Sequence, residues 1–232
     1  MKKRGKRYQK SAELIEKDAI YNLDEAIALL KKMQFSKFDE TVELVLRLGV
    51  NPKKSDEAVR GSCILPAGSG KQTRVVAFCK GEKIKEATEA GADYVGGKEL
   101  ADKIAAGWLD FDRVASTPDM MSVAGKLGRI LGPRGMMPNP KVGTVAQDIG
   151  NIVKQLKLGQ LAFRIDKGAN LHSAIGRLSF TEENLKKNIS SFISAVKKAK
   201  PVSSKGTYIK SAYICATHSP SVKLDVKSLQ ES

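Results

Sequence analysis

Cysteine is scarce in this 232-residue chain. Cys63, Cys79 and Cys215 stand far apart, with no CxxC pair. That spacing excludes a disulfide framework and a zinc site, so the thiols read as small buried residues in a reducing compartment. Histidine is scarcer still: only His172 and His218 occur, neither beside a cysteine or carboxylate at a diagnostic spacing. No catalytic constellation, metal set or cofactor motif is expected from so few candidates. No run approaches the ~20 apolar residues of a membrane-spanning helix. The basic start, MKKRGKRYQK, is followed by no long apolar stretch, which argues against a secretory signal. A cytoplasmic chain with no membrane partner is expected.

Acidic residues are also short, 25 against 40 basic ones, which leaves a formal net charge of +15. Such an excess points to a polyanionic partner, nucleic acid first. The charge is uneven. Residues 1–66 carry +4, residues 67–159 carry +4, and residues 160–232 carry +7.

Apolar residues make up 41% of the chain, enough for real cores. The middle alternates strand and helix. TRVVAFC (73–79), DYVG (93–96) and DRVAST (from 112) read as strands, with helices GEKIKEATEAGA and KELADKIAAGW between them. Leu100, Ile104 and Trp108 share one helical face, and Asp119 is placed to cap a helix carrying Val123, Leu127 and Leu131. This is the pattern of a Rossmann-like parallel α/β layer.

The chain ends read differently. Asn22 and Glu25 open a helix with Ala26, Ile27, Leu30 and Met33 as its stripe. TVELVLRLGV alternates, with Val42, Leu44, Leu46 and Leu48 inward and Thr41, Glu43 and Arg47 outward. LAFRID repeats the alternation with Leu161, Phe163 and Ile165. A long helix starts at Thr181, carries Leu185, Ile189, Phe192, Ile193 and Val196, and stops at Pro201. TYIKSAYICAT and SVKLDV are further strands. The expected architecture is α+β with an inserted α/β domain. Residues 1–66 and 160–232 form a discontinuous first domain, and residues 67–159 form the insertion.

GSGK (68–71) suggests a phosphate loop but lacks its pattern. Leu65 stands where the first glycine belongs, and Gln72 follows Lys71 in place of Ser or Thr. It also precedes a strand instead of following one, so a plain connecting loop is expected. Basic and aromatic features are richer. Lys37 and Phe38 precede a strand and suit phosphate pairing with ring packing. Arg164, Lys167, His172 and Arg177 surround a Gly turn. Thr217, His218, Ser219 and Ser221 occupy a tight turn at Pro220, where small hydroxyls allow close approach to ribose and phosphate.

KLGRILGPRGMMPNPKVGT (126–144) closely resembles the signature of the family of the first universal large-subunit ribosomal protein, L-one, in its bacterial branch. GKRY (5–8), KFDETVE (37–43), RGSCILP (60–66), GEKIKEATEAGADYVGG (81–97), FDRVASTPDMM (111–121) and KGTYIKSAYICATHSPSV (205–222) follow in the family's order. The resemblance implies a split β-α-β core in the first domain and a non-enzymatic structural role. It implies a mobile stalk on the tRNA exit side of the large subunit, where deacylated tRNA is released. Implied partners are large-subunit rRNA, exit-site tRNA and the chain's own operon mRNA, whose translation it represses. A monomer is expected outside the ribosome.

Carried over residue by residue, the implied RNA contacts are Lys37, Phe38, Thr41, Arg164, Asp166, Lys167, His172, Lys210, Ser211, Thr217, Ser219 and Ser221. Arg129, Arg134 and Lys141 are candidates for secondary phosphate contacts. One departure stands out. The family has Thr-Met-Gly-Pro-Ser where this chain has Thr-His-Ser-Pro-Ser (217–221). Glycine serves close approach or a left-handed backbone, so Ser219 is expected to loosen or shift the contact, and His218 to exchange Met packing for a phosphate contact.

Overall fold

The structure is a computed structural model that describes residues 5–16 and 19–231. Lys2, Lys3 and Arg4 of the basic start lie outside the described residues. The chain divides into two compact units: Met1–Gly70 with Leu161–Ser232, and Lys71–Gln160. The first pass through unit one gives α1 (Lys6–Glu13), α2 (Leu23–Lys32), β1 (Thr41–Leu48) and β2 (Arg60–Ile64). The middle gives β3 (Val75–Phe78), α3 (Lys83–Glu89), β4 (Tyr94–Gly96), α4 (Lys98–Ala105), β5 (Arg113–Ser116), α5 (Met121–Lys126), α6 (Gly128–Leu131) and α7 (Ile149–Lys157). The return gives β6 (Gln160–Arg164), β7 (Asn170–Arg177), α8 (Glu182–Lys198), β8 (Ile209–Ala216), β9 (Val222–Leu224) and α9 (Val226–Glu231).

In unit one, four strands form an antiparallel sheet in the order β7-β1-β8-β9. β7 and β8 flank β1 and are joined through α8, which is a split β-α-β arrangement. One face is covered. Val42, Leu44, Leu46 and Leu48 bury against Ala26, Ile27, Leu30 and Met33 of the α2 segment and Leu185, Ile189, Phe192, Ile193 and Val196 of α8. Each large apolar side chain buried there contributes about 1.5–3 kcal/mol. The helix starts are satisfied locally. Glu25 Oε2 accepts from the Asn22 N–H at 3.2 Å, and Thr181 Oγ1 accepts from the Asn184 N–H at 3.3 Å. Asn188 is the polar exception on α8, fully buried. Its amide accepts from Ala67 N–H at 2.9 Å and donates to Gly68 O at 3.0 Å and Ile175 O at 2.8 Å.

Three features of unit one were not legible in the sequence. β7 is an eight-residue strand where only a turn was legible, because Ser, Ala and Gly interrupt the alternation of NLHSAIGR. The basic start contains a helix, α1. β6, with buried Phe163, pairs with β2 in a separate two-stranded sheet, a placement that the alternation of LAFRID does not specify.

In unit two, β4-β3-β5 form a parallel sheet. Val76 and Phe78 face Leu100, Ile104, Ala124, Leu127 and Leu131, while Val75, Ala77 and Cys79 pack with Ala87, Ile149 and Val153. β3 is therefore buried on both faces, as a central parallel strand must be. Two expectations need correction. α4 ends at Ala105, and Gly107 follows with a left-handed φ of 105°. Trp108 thus lies beyond the helix and stacks edge-on with Tyr94, centroids 4.6 Å apart. Asp119 caps nothing with its side chain. It sits inside a 3-10 turn, Pro118–Met120, and the helix after it breaks at Leu127 into α5 and α6. The acidic side chains Asp93 and Asp112 hold the start of β3. Asp93 accepts from Val75 N–H and Lys157 Nζ, both at 2.6 Å. Asp112 accepts from Lys71 Nζ at 2.6 Å and Arg74 N–H at 3.1 Å, and Arg74 also pairs with Asp110.

Candidate nucleic-acid interface

Ligands of parallel α/β sheets usually bind at the carboxyl ends of the strands, at the point where strand order reverses. Here the end of β5 and Thr117 after it are held by backbone bonds to β3 on one side and to the 144–145 segment on the other. Thr117 N–H donates to Phe78 O at 3.0 Å and Ser116 N–H to Thr144 O at 3.0 Å, with both side chains buried. GSGK is a connecting segment that follows a turn closed by Gly68 N–H to Leu65 O at 2.9 Å, with Gly68 and Gly70 at left-handed φ values of 72° and 71° and Lys71 drawn to Asp112.

The uncovered face of the β7-β1-β8-β9 sheet is different. Alternation turns Thr41, Glu43, Val45 and Arg47 of β1 away from the helices. Register then sets their neighbours. Thr41 faces Arg177, Glu43 lies between Ala174 and Cys215, Val45 between His172 and Tyr213, and Arg47 between Asn170 and Ser211. β1 spans roughly 20 Å from Thr41 to Arg47.

At the Thr41 end, polar groups converge on the 216–220 turn. Thr41 N–H donates to Thr217 Oγ1 at 3.1 Å, and Arg177 donates to Thr41 Oγ1 at 2.8 Å and Asp39 O at 3.2 Å. Glu40 is 1% exposed, and its Oε2 accepts the His218 N–H at 3.0 Å. Its Oε1 is enclosed without a hydrogen-bond partner among the described residues. His218 Nδ1 lies 3.2 Å from Ser36 Oγ, and its ring packs edge-on against Phe38 at 5.4 Å and near Phe35 at 6.2 Å. Phe38 is 50% exposed, which leaves most of one aromatic surface to solvent beside exposed Lys37.

Ser219 corrects an expectation. Its backbone is not in the left-handed region, so the position accepts a Cβ without strain. Its Oγ accepts from the Ala216 N–H at 2.8 Å and lies 3.0 Å from Pro220 O, so the side chain braces the turn from within.

At the other end, exposed Lys210 and half-buried Ser211 flank Arg47. Asp166 turns inward on its own loop. It accepts from Asn170 N–H at 2.7 Å, Gly168 N–H at 2.8 Å and Asn170 Nδ2 at 3.2 Å, with His172 Nε2 at 3.9 Å. The Asn170 backbone N–H first, then its side chain, holds the carboxyl below the usual range. Ala169, not the adjacent Gly168, carries the left-handed φ of 61° in this loop. Lys167 is exposed at the loop tip. Arg164 is exposed on β6, in the two-stranded sheet and so off this face. Ser221 is exposed just before β9. Arg129, Arg134 and Lys141 belong to unit two and are exposed there, around the turns at Gly135 and Gly143.

Cys63 and Cys79 are buried, as expected. Cys215 is half-buried on the open face, where burial and then Glu43 push its thiol pKa up. Sequence reasoning missed Glu40, Tyr213 and the bracing role of Ser219. Only register and burial reveal them. Arg47 was legible from alternation but not as a neighbour of Ser211.

Comparison with known proteins decides the family. Residues 30–220 match the model of the ribosomal protein L1p/L10e family. The chain belongs to that family. It is 53% identical to the large ribosomal subunit protein uL1 of Persephonella marina over 236 residues, which cover 100% of this chain and 98% of that protein. It is 52% identical to the uL1 protein of Thermus thermophilus over 229 residues, covering 98% of this chain and 100% of the relative. Membership of the ribosomal protein L1p/L10e family makes this a structural, non-enzymatic ribosomal protein. Among the described residues no helix is long and apolar enough to cross a membrane.

Proposed function

We propose that this chain is a component of the cytoplasmic large ribosomal subunit and that the open face of unit one clamps a folded region of large-subunit rRNA. The observation that carries the reading is the one-sided cover of the sheet. Helices bury one face, and the other presents Thr41, Arg47, Ser211 and Thr217, with Lys37, Phe38 and Lys210 at its ends. The chain's +15 charge supports a polyanionic partner, and its L1-family relatives carry large-subunit names. In this reading residues 1–66 and 160–232 are the RNA-binding domain and residues 67–159 the inserted one. As part of the mobile exit-side stalk, the protein meets deacylated tRNA, with Arg129, Arg134 and Lys141 as secondary phosphate contacts. The same face binds its own operon mRNA and represses translation.

The test is filter binding of the full chain to a structured large-subunit rRNA fragment, with duplex DNA as competitor. The double variant Thr217→Val, Phe38→Ala should lose at least about tenfold in affinity, the scale of one stacked ring and one hydrogen bond. Alanine replacement of Lys2, Lys3, Arg4, Lys6 and Arg7 should weaken RNA and DNA binding alike. The reverse pattern, specificity lost from the tail and kept in the double variant, overturns the site.

A further inference from the structure

Beside the proposed interface, α1, the segment after it and the β8–β9 edge line an open groove of about 390 Å³. We propose that this groove holds one unpaired nucleobase of the bound RNA. The inference rests on the reading of the adjacent face as an RNA interface.

Two phenol rings line the groove, Tyr8 from α1 and Tyr213 from β8. Tyr213 lies on the open face, in register with Val45 on one side and Lys223 on the other. Its side chain makes no hydrogen bond or ring contact among the described residues, and its half-buried ring lines the groove. Ala12 stands one helical turn after Tyr8, and its small side chain keeps the space beside the ring open. Base–aromatic stacking tolerates any base and suits such a ring.

The polar groups fit the rest of a nucleotide. Glu16 and Lys223 carry no ion pair among the described residues. The Glu16 backbone is fixed, because its N–H donates to Tyr21 Oη at 3.0 Å. A carboxylate there accepts from an amino and an imino N–H side by side, the pair that guanine presents on one edge. The Lys223 ammonium suits the phosphate, and the Ser221 hydroxyl a ribose oxygen. A cavity of this size is in the range of small-ligand pockets and too small for a duplex, so the base must be unpaired. Ser221 connects the groove to the turn that carries Thr217 and Ser219, so one RNA strand can run from that turn into it.

The experiment measures binding of the same rRNA fragment to Tyr8→Ala, Tyr213→Ala and Tyr213→Phe, each in the full chain. The alanine variants should lose about tenfold in affinity, and Tyr213→Phe should bind as wild type, because it keeps the stacking ring. Independently of rRNA, the ring signals of Tyr8 and Tyr213 in NMR spectra should shift on titration with GMP more than with UMP. Wild-type affinity in both alanine variants, with no ring shift on GMP, overturns the groove and leaves the Thr217 face standing. Failure of the wild-type chain to bind rRNA overturns both.

Discussion

Thr217 and Ser219 sit two residues apart and do different work. Thr217 takes the Thr41 N–H across 176 residues of sequence, while Ser219 braces its own turn. Small hydroxyl residues in a tight turn were legible, but not which of them turns inward, because that depends on the turn's closure. Replacing Ser219 with Gly removes the acceptor of the Ala216 N–H. The variant should lose about 1 kcal/mol in urea unfolding at constant m-value. An unshifted midpoint would mean that the hydroxyl does not hold the turn. Glu40 makes the same point more strongly. A glutamate beside a strand reads as solvated surface, yet this one is buried beneath His218.

Among the elements, the strongly periodic ones were readable: α2, β1, α8 and the strands β3, β4 and β5 follow the alternation or stripe of their residues. α7 was less legible although Ile149, Ile152, Val153 and Leu156 mark one helical face, because it is only nine residues long and follows the aperiodic Gly- and Pro-rich stretch. β7 escaped for a stronger reason. NLHSAIGR has a weak intrinsic strand signal and is held in place by pairing with β1. Asn188 joins these elements, tying α8 to the Ile175 carbonyl of β7 and to residues 67 and 68. Asn188→Ala leaves the buried Ile175 carbonyl and the partly buried Ala67 N–H and Gly68 carbonyl without this partner and should cost about 3 kcal/mol. Chemical denaturation checks this. A loss under about 1 kcal/mol would show that water replaces the amide.

For the whole molecule, charge also sets how stability responds to acid. Lys71 above all, helped by Arg74, holds Asp112 down to about 2 despite partial burial. A carboxylate depressed in the folded state stabilises fully above its unfolded value of about 3.9, and that contribution fades as pH falls toward 2. Asp112→Asn should therefore be less stable than wild type at pH 7, with the gap closing between about pH 4 and pH 2. A gap that stayed constant across that range would assign the loss to packing. Sequence by itself determined the apolar stripes, the strand–helix alternation of the middle, the basic surplus and the family signature at 126–144. These are written in neighbouring residues, where periodicity and local propensity act. Only the tertiary structure decided that Thr41 meets Thr217, that Glu40 is buried, and that Tyr8 and Tyr213 line one groove. Those contacts depend on cross-strand register and long-range packing, which no local window of residues encodes.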